Sequence, residues 1–566
     1  MKVGFKMDKP SEFDTAESQY LGSQPLRENS GNSSSKAKML EGSAWMTAGS
    51  IFSRILGAIY IIPWVIWFGV YSDQANALYT KGYNIYSFFL IAAIAGIPSA
   101  ISKQVAHYNA INEFALGQRL YKRGLLLSVG TGVVCAAILF FGAPFLNDGD
   151  PNVTTVLHAL AWAVLVIPTM SLTRGFFQGY QEMGPSAVSQ FIEQLARVAY
   201  MLVTAYLIMY KNHGDWVYGV AQSTFAAFIG ALGGLLVLIG YFVKYRRRLR
   251  YLSQHSVNGL AISTTSLYKE IIAQAVPFII IGSAITIFQL IDQYTFFRIM
   301  RSVSDYSATV LNNMFAIFAF NANKLVMIVI SLASALAVTS VPILSEAKTR
   351  GDRAEISRQV ADSILLFAFL MIPSALGMAA VAQPAYTLFY HLSDVGTAIL
   401  QFNSYVAIVL GLFTVISAVM QGIGENVLAV KYFVVGMLVK FIFQFPMVAI
   451  FSAVGSLIST AIGFAVVNWL ILRHINREYG LDYDKINGFI GKIITYSFGT
   501  FFIAFVVTNG LYLVMNPTNK VQALIVILVA ATLGGLFYVV CVLKSRLADE
   551  IIGGRAAGLR RMLKIK

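Results

Sequence analysis

Fourteen apolar runs, each near the twenty residues that a helix needs to cross a bilayer, constrain this chain more than any other feature. They lie at about 44–69, 84–107, 124–146, 153–178, 186–210, 217–243, 271–298, 313–344, 359–381, 397–422, 427–451, 455–472, 488–515 and 521–543. Continuous runs of this length exclude a membrane β-barrel, whose strands alternate over about ten residues. Hydrophobic residues make up 57% of the 566 and charged residues 12%. A soluble enzyme, a disordered chain and a disulfide-stapled secreted domain are thereby excluded. The expected fold is an all-α polytopic membrane protein with fourteen transmembrane helices.

Residues 1–43 are polar, with "NSGNSSSKAK" ahead of the first run. They read as a disordered cytoplasmic tail, since a secretory signal would place its apolar stretch near the start. Cys135 and Cys541 sit in apolar runs with no CxxC and no metal spacing, which fits buried thiols.

Basic residues set the orientation. With the first tail inside, the inner segments hold 31 Lys and Arg and the outer segments 5. Both termini are therefore expected in the cytoplasm of a cell membrane. The net charge of +15 is then mostly topology charge, and nucleic acid is not an expected partner. The cluster Lys244, Arg246, Arg247, Arg248, Arg250 reads as an anchor against anionic lipid heads, in a basic loop at 244–270.

The chain also resembles itself. "SLTRGFFQGYQEMG" and "TVISAVMQGIGENV" place Gln178-Gly179 on Gln421-Gly422, an offset of 243 that also sets Arg197 on Lys440 and Ser102 on Ser345. The expected organisation is two pseudo-symmetric six-helix lobes, 44–243 and 271–472, two extra helices within 473–546 and a basic cytoplasmic tail, 547–566. Parallel repeats of this kind suit alternating-access transport, with the cargo between the halves near the midplane.

Six basic residues remain inside the runs: Arg54, Arg174, Arg197, Lys324, Lys431 and Lys440. The clear intramembrane acids are Glu193 and Asp292. Each buried charge costs at least ~2.5–3.5 kcal/mol on insertion scales, so each needs a partner or a wet cavity. Arg54, Lys324 and Lys440 are expected to face a cavity. Arg197 has Glu193 one turn back, so an ion pair competes with a cavity role there. Arg174 and Lys431 are near cytoplasmic ends and fit snorkelling. Asp292 either pairs with a cation or titrates as a coupling site. This positive excess suits an anion such as a diphosphate and disfavours a multidrug exporter of cations. HExxH, Walker and GxSxG motifs are missing, which argues against an enzyme and against an ATP-driven pump within this chain.

"GSAWMTAGSIFSRILGAIYIIPW" (42–64), "AGIPSAISK" (95–103), "GFFQGYQEMGPSAVSQ" (175–190) and "VPILSEA" (341–347) resemble the polysaccharide-lipid flippases. This branch of the multidrug/oligosaccharidyl-lipid/polysaccharide exporter superfamily contains the lipid II flippases (MurJ type) and the stage V sporulation protein B group. The resemblance covers about 42–546 and is strongest to the Gram-positive form. It implies fourteen helices, a cationic cavity between lobes for a diphosphate-sugar head, and a groove in the last two helices for the polyprenyl tail. It implies a bacterial flippase moving lipid II to the outer leaflet for peptidoglycan synthesis, or another lipid-linked saccharide of a capsule, teichoic acid or spore. The "FSR-LG" arginine falls on Arg54 and a basic residue of the eighth helix on Lys324. An Arg-Asp pair found in many members is replaced by Tyr60 and Ile61; Lys440, Arg197 and Arg298 are candidates to supply the missing positive charge. The expected head-binding set is Arg54, Lys324, Lys440 and Arg197, with Asp292 and Glu193 as coupling acids. No cofactor is expected beyond a coupling cation (proton or sodium) or the membrane potential. The expected partners are the lipid-linked precursor, membrane lipids and the cell-wall synthesis machinery, with the chain itself a monomer.

Overall fold

The computed structural model describes residues 56–57, 59–94, 97–257, 276–552 and 554–562. Regular structure among them is helical throughout. The first half comprises α1 (Ile61–Phe68), α2 (Ser72–Ile94), α3 (Ile97–Ala110), α4 (Phe114–Leu146), α5 (Pro151–Gly179), α6 (Met183–Lys211) and α7 (Trp216–Gln254). The second half comprises α8 (Val276–Gly282), α9 (Ala284–Val303), α10 (Ala308–Arg350), α11 (Arg353–Ala380), α12 (Ala382–Phe389), α13 (Asp394–Gly422) and α14 (Asn426–Tyr479). Then come α15 (Tyr483–Tyr512), α16 (Lys520–Lys544), α17 (Leu547–Ile552) and α18 (Gly554–Met562). Among the described residues ten helices are long and apolar enough to cross a membrane, or eleven when α8 and α9, bent by 59°, count as one span. The 54-residue α14 folds back at Ser452, whose φ is 52°. One helix thus carries the eleventh and twelfth apolar runs.

α2 to α7 pack mainly on one another, as do α9 to α14, while α15 and α16 lie against α11 and α12. Two adjustments to the sequence reading follow. The second run begins earlier than expected, because α2 starts at Ser72 and takes in "NALYTKGYN". Its polar face is satisfied by the other half. The basic segment after 243 also begins as helix, since α7 continues through Gln254. Arg248 pairs with Glu182 at 2.8 Å and Gln118 donates to the Leu249 carbonyl, tying this extension across the turns of the first half.

The repeat is visible in the backbone. Gln181 and Gly424, 243 apart, both adopt positive φ (62° and 79°). The following glutamates, Glu182 and Glu425, donate backbone N–H to the carbonyls of Phe177 and Met420. Asp150 and Ser393, at the same offset, each cap a helix, α5 and α13. Close packing repeats too. A Cβ at Gly230 would lie 2.7 Å from the Glu193 carbonyl oxygen and 2.9 Å from Arg197 Cβ. A Cβ at Gly463 would lie 2.9 Å from the Gly436 carbonyl oxygen and 3.0 Å from Lys440 Cβ. Small residues let the two helices touch there, and both glycines clamp the helix that carries the deep cation.

The halves meet at the end remote from the basic turns. Seven side-chain hydrogen bonds join them there among the described residues: Asn76 to Asn321, Asn321 to Asp73, Lys81 to Asn312, Asn84 to Gln293, Gln293 to the Lys81 carbonyl, Tyr294 to the Leu146 carbonyl and Arg298 to Asp148.

Candidate functional site

Arg197 and Lys440 each lie fourteen residues into their helices, about 21 Å at 1.5 Å per residue. That depth is near the middle of a bilayer. The structure gives the two cations different surroundings.

Lys440 is fully buried. Its Nζ donates to Asp292 Oδ1 at 2.8 Å and to Thr460 Oγ1 at 2.6 Å. Gln444 donates to the same carboxylate at 2.9 Å and accepts from Ser459 at 2.5 Å. The tight approach of the two arms of α14 at Gly436 and Gly463 brings Thr460 to Lys440. A cavity of about 40 Å³ adjoins Asp292, lined also by Asn84, Gln289, Asn323 and Asn403. It has room for about three waters. Asp292 thus pairs with a cation, the first of the two roles read for it.

Glu193 pairs with Arg174 at 2.7 Å, and Arg174 also donates to Ser189. The i,i+4 pair between Glu193 and Arg197 does not form. Arg174 is instead held from the neighbouring α5 by two acceptors on α6, which a reading along one helix does not reveal.

The two intramembrane acids therefore neutralise Lys440 and Arg174. Arg197 and Lys324 keep no carboxylate among the described residues. They converge on one aromatic platform. Tyr79 and Tyr83, one turn apart on α2, stack with ring centroids 5.3 Å apart. Arg197 donates to the Tyr83 hydroxyl at 3.2 Å and lies 5.6 Å from its ring centre. Lys324 Nζ lies 5.4 Å from Tyr79, 5.5 Å from Tyr83 and 5.3 Å from Phe320. Ring faces stabilise a cation without neutralising it. α10 makes a π-turn at Ile317–Ala322 just before Lys324, a distortion often found at functional positions.

Arg54 lies outside the described residues. Lys431 is exposed near the start of α14, as snorkelling requires. Tyr79 and Tyr83 announce themselves in the sequence only by their i,i+4 spacing, and Lys81, between the first two apolar runs, is expected from the sequence in an outer loop. Lys81 is instead buried in α2, paired with Asp150 at 3.0 Å. It stands 243 residues before Lys324, so the two lysines are repeat equivalents. Where Lys81 has the acid Asp150, the matching cap in the second half is Ser393, which carries no charge.

A two-halved helical membrane protein with a cationic cluster between its halves belongs to the transporters rather than the enzymes. Residues 39–348 match the family described as polysaccharide biosynthesis protein, and the chain belongs to that family. It is 33% identical to the lipid II flippase MurJ of Bacillus subtilis over 93% of this chain and 98% of that one. It is 27% identical to the stage V sporulation protein B of Bacillus subtilis, over 38% of this chain and 41% of that relative. Its fold matches a solved lipid II flippase MurJ, inward closed conformation, with TM-score 0.57, 16% identity and coverage of 90% and 99%. An inward-facing multidrug resistance MATE family transporter of the MOP superfamily matches with TM-score 0.57 and 14% identity, covering 75% of this chain and 95% of that one. The chain is thus a multi-pass membrane protein of this family, with the fold that those two transporters share.

Proposed function

We propose that this protein is a flippase for a polyprenyl-diphosphate-linked cell-wall precursor, lipid II, in a Gram-positive bacterium. The observation that carries the reading is the pair Arg197 and Lys324, deep between the halves, without a carboxylate among the described residues and over a shared tyrosine platform. A diphosphate supplies the missing negative charge. Its oxygens are the strong acceptors that guanidinium and ammonium groups favour. Arg54, the arginine of the "FSR-LG" stretch, adds to the same head-binding set.

The basic turns face the cytoplasm, as do both termini, and the clasped end faces outward. The head enters from the inner leaflet while the polyprenyl tail stays in lipid along α15 and α16. The halves then rock, the outer clasp opens and the head leaves. The Lys440–Asp292 pair is the coupling element: the polar cavity at Asp292 gives a proton or sodium ion a route to the carboxylate. The full length of the match to the lipid II flippase of Bacillus subtilis supports the cargo.

The test is lipid II sidedness in intact cells during depletion of the protein, read with an impermeant lipid II-specific probe. Outer-leaflet lipid II falls and the inner pool rises if the reading holds. Unchanged sidedness in a strain without another lipid II flippase overturns it and makes another lipid-linked saccharide the cargo. The Tyr60 and Ile61 departure would then be its sequence mark.

A further inference from the structure

Four of the seven bonds of the outer clasp join uncharged groups and one runs from Asn321 to Asp73; the two others are made by cations, Lys81 and Arg298. The turn between α4 and α5 carries two acids, Asp148 and Asp150, separated by Gly149; Asp148 and Gly149 both adopt positive φ, 50° and 82°. Asp150 uses one oxygen to cap α5, accepting from Asn152 N. Its other oxygen accepts from Lys81 at 3.0 Å. Lys81 also donates to Asn312 of the second half at 2.9 Å and lies 4.4 Å from the Phe297 ring centre. Asp148 accepts from Arg298 of the second half at 2.5 Å. Lys81 and Arg298 account for two of the five Lys and Arg in the outer segments, and both grip this one turn.

We propose that Lys81 and Arg298 form an outer phosphate site, and that Asp148 and Asp150 are its resident anions while the outer end is closed. The inference rests on a diphosphate cargo. Lys81 and Asp150 share a half and travel together, whereas Arg298–Asp148 and Lys81–Asn312 cross between halves and must break for the outer end to open. A contact between two uncharged groups offers a phosphate nothing to replace. Arg298 and Lys81 can pass from carboxylate or amide oxygens to phosphate oxygens with their charge-assisted bonds conserved in number. A diphosphate arriving from the Tyr79–Tyr83 platform therefore trades places with Asp148 on Arg298 and with Asn312 on Lys81. Asp148 reclaims Arg298, and Asn312 reclaims Lys81, once the head has gone, which closes the clasp and speeds release. Lys81 is buried and keeps Asp150 throughout, since a stranded buried ammonium is strongly destabilising.

The test uses the full chain in intact cells, with Cys135→Ala, Cys541→Ala and a reporter Leu311→Cys, a position fully buried beside Asn312. An impermeant maleimide reads opening of the outer end, with inorganic pyrophosphate as the added anion and chloride at equal ionic strength as control. Pyrophosphate raises labelling severalfold in the parent. Arg298→Gln raises basal labelling and abolishes the pyrophosphate response. Asp148→Asn raises basal labelling and shifts the half-maximal pyrophosphate concentration several-fold lower. Arg298 is 71% exposed, so its replacement does not threaten folding. A parent that ignores pyrophosphate, or an Arg298→Gln variant that responds like the parent, overturns the site. A fall in outer-leaflet lipid II on depletion with no pyrophosphate response sinks this inference alone; a pyrophosphate response with unchanged sidedness sinks the cargo assignment alone.

Discussion

Lys440 Nζ stands 2.8 Å from Asp292 Oδ1, in a cluster where both side chains are shut off from solvent and Gln444 and Thr460 complete the bonding. Removing one member strands the other's charge. Lys440→Met and Asp292→Asn should each destabilise the protein by about 3–5 kcal/mol, read as a lower unfolding midpoint in detergent. The double variant Lys440→Met/Asp292→Leu should recover most of that loss, because no buried charge is left. If the pair is the coupling element, the refolded double variant will still flip lipid II poorly, or will flip it without regard to an imposed proton gradient or voltage. Additive destabilisation in the double variant would refute the paired-charge account.

Arg197 and Lys324 should behave in the opposite way. Among the described residues neither has a carboxylate to strand, and both are half-buried beside aromatic faces. Arg197→Gln and Lys324→Gln should lower flipping in proteoliposomes at least tenfold while leaving the unfolding midpoint within a degree or two. Tyr83→Phe keeps the ring but removes the oxygen that accepts from Arg197. A hydrogen bond to a charged group contributes about 1.5–3 kcal/mol, so this variant should lose roughly tenfold or more through a misplaced guanidinium. Variants of Arg197 and Lys324 that transport normally would remove both from the head-binding set.

The spans and the deep cations were legible because they depend on local composition: an arginine at 197 or a lysine at 440 is conspicuous in twenty apolar neighbours. The pairing was not. Glu193 chooses Arg174 nineteen residues away over Arg197 four away, and Asp292 finds Lys440 across 148 residues. Both choices are made by helices packed side by side. Lys81 was misplaced for a related reason. The stretch around it looks like a loop until the second half supplies Asn312 and Gln293 as partners. The repeat was legible at three positions, and its conformational signature, positive φ at Gln181 and Gly424, needed coordinates.

Those two equivalent turns give opposite expectations. A residue with a side chain is disfavoured in the left-handed region by about 1–2 kcal/mol, and glycine adopts it freely. Gln181→Gly should therefore raise the unfolding midpoint, by the equivalent of about 1 kcal/mol. Gly424→Ala should lower it by a similar amount. Nothing lies within 4 Å of a Cβ at Gly424, so the loss would be backbone strain and not a clash. Differential scanning of both purified variants checks the sign, and a shift in the same direction for both would contradict the shared turn geometry.

The clamping glycines separate stability from transport. At Gly463 an added Cβ would meet the Phe288 ring at 2.7 Å as well as the Gly436 carbonyl. The two arms of α14 would have to part, and Lys440 would lift from Thr460. Overpacking of this kind costs about 1–3 kcal/mol, so Gly463→Ala should be mainly a stability variant. At Gly230 the added Cβ would press on Arg197 Cβ and the Glu193 carbonyl, at the base of a side chain that reaches to Tyr83. Gly230→Ala should therefore reduce flipping severalfold more than its change in unfolding midpoint accounts for. Measuring both quantities on both variants decides the matter. Equal ratios of lost transport to lost stability would mean that Arg197 and Lys440, equivalent in the repeat, are also equivalent in use, and the division of labour between cargo binding and coupling would fall.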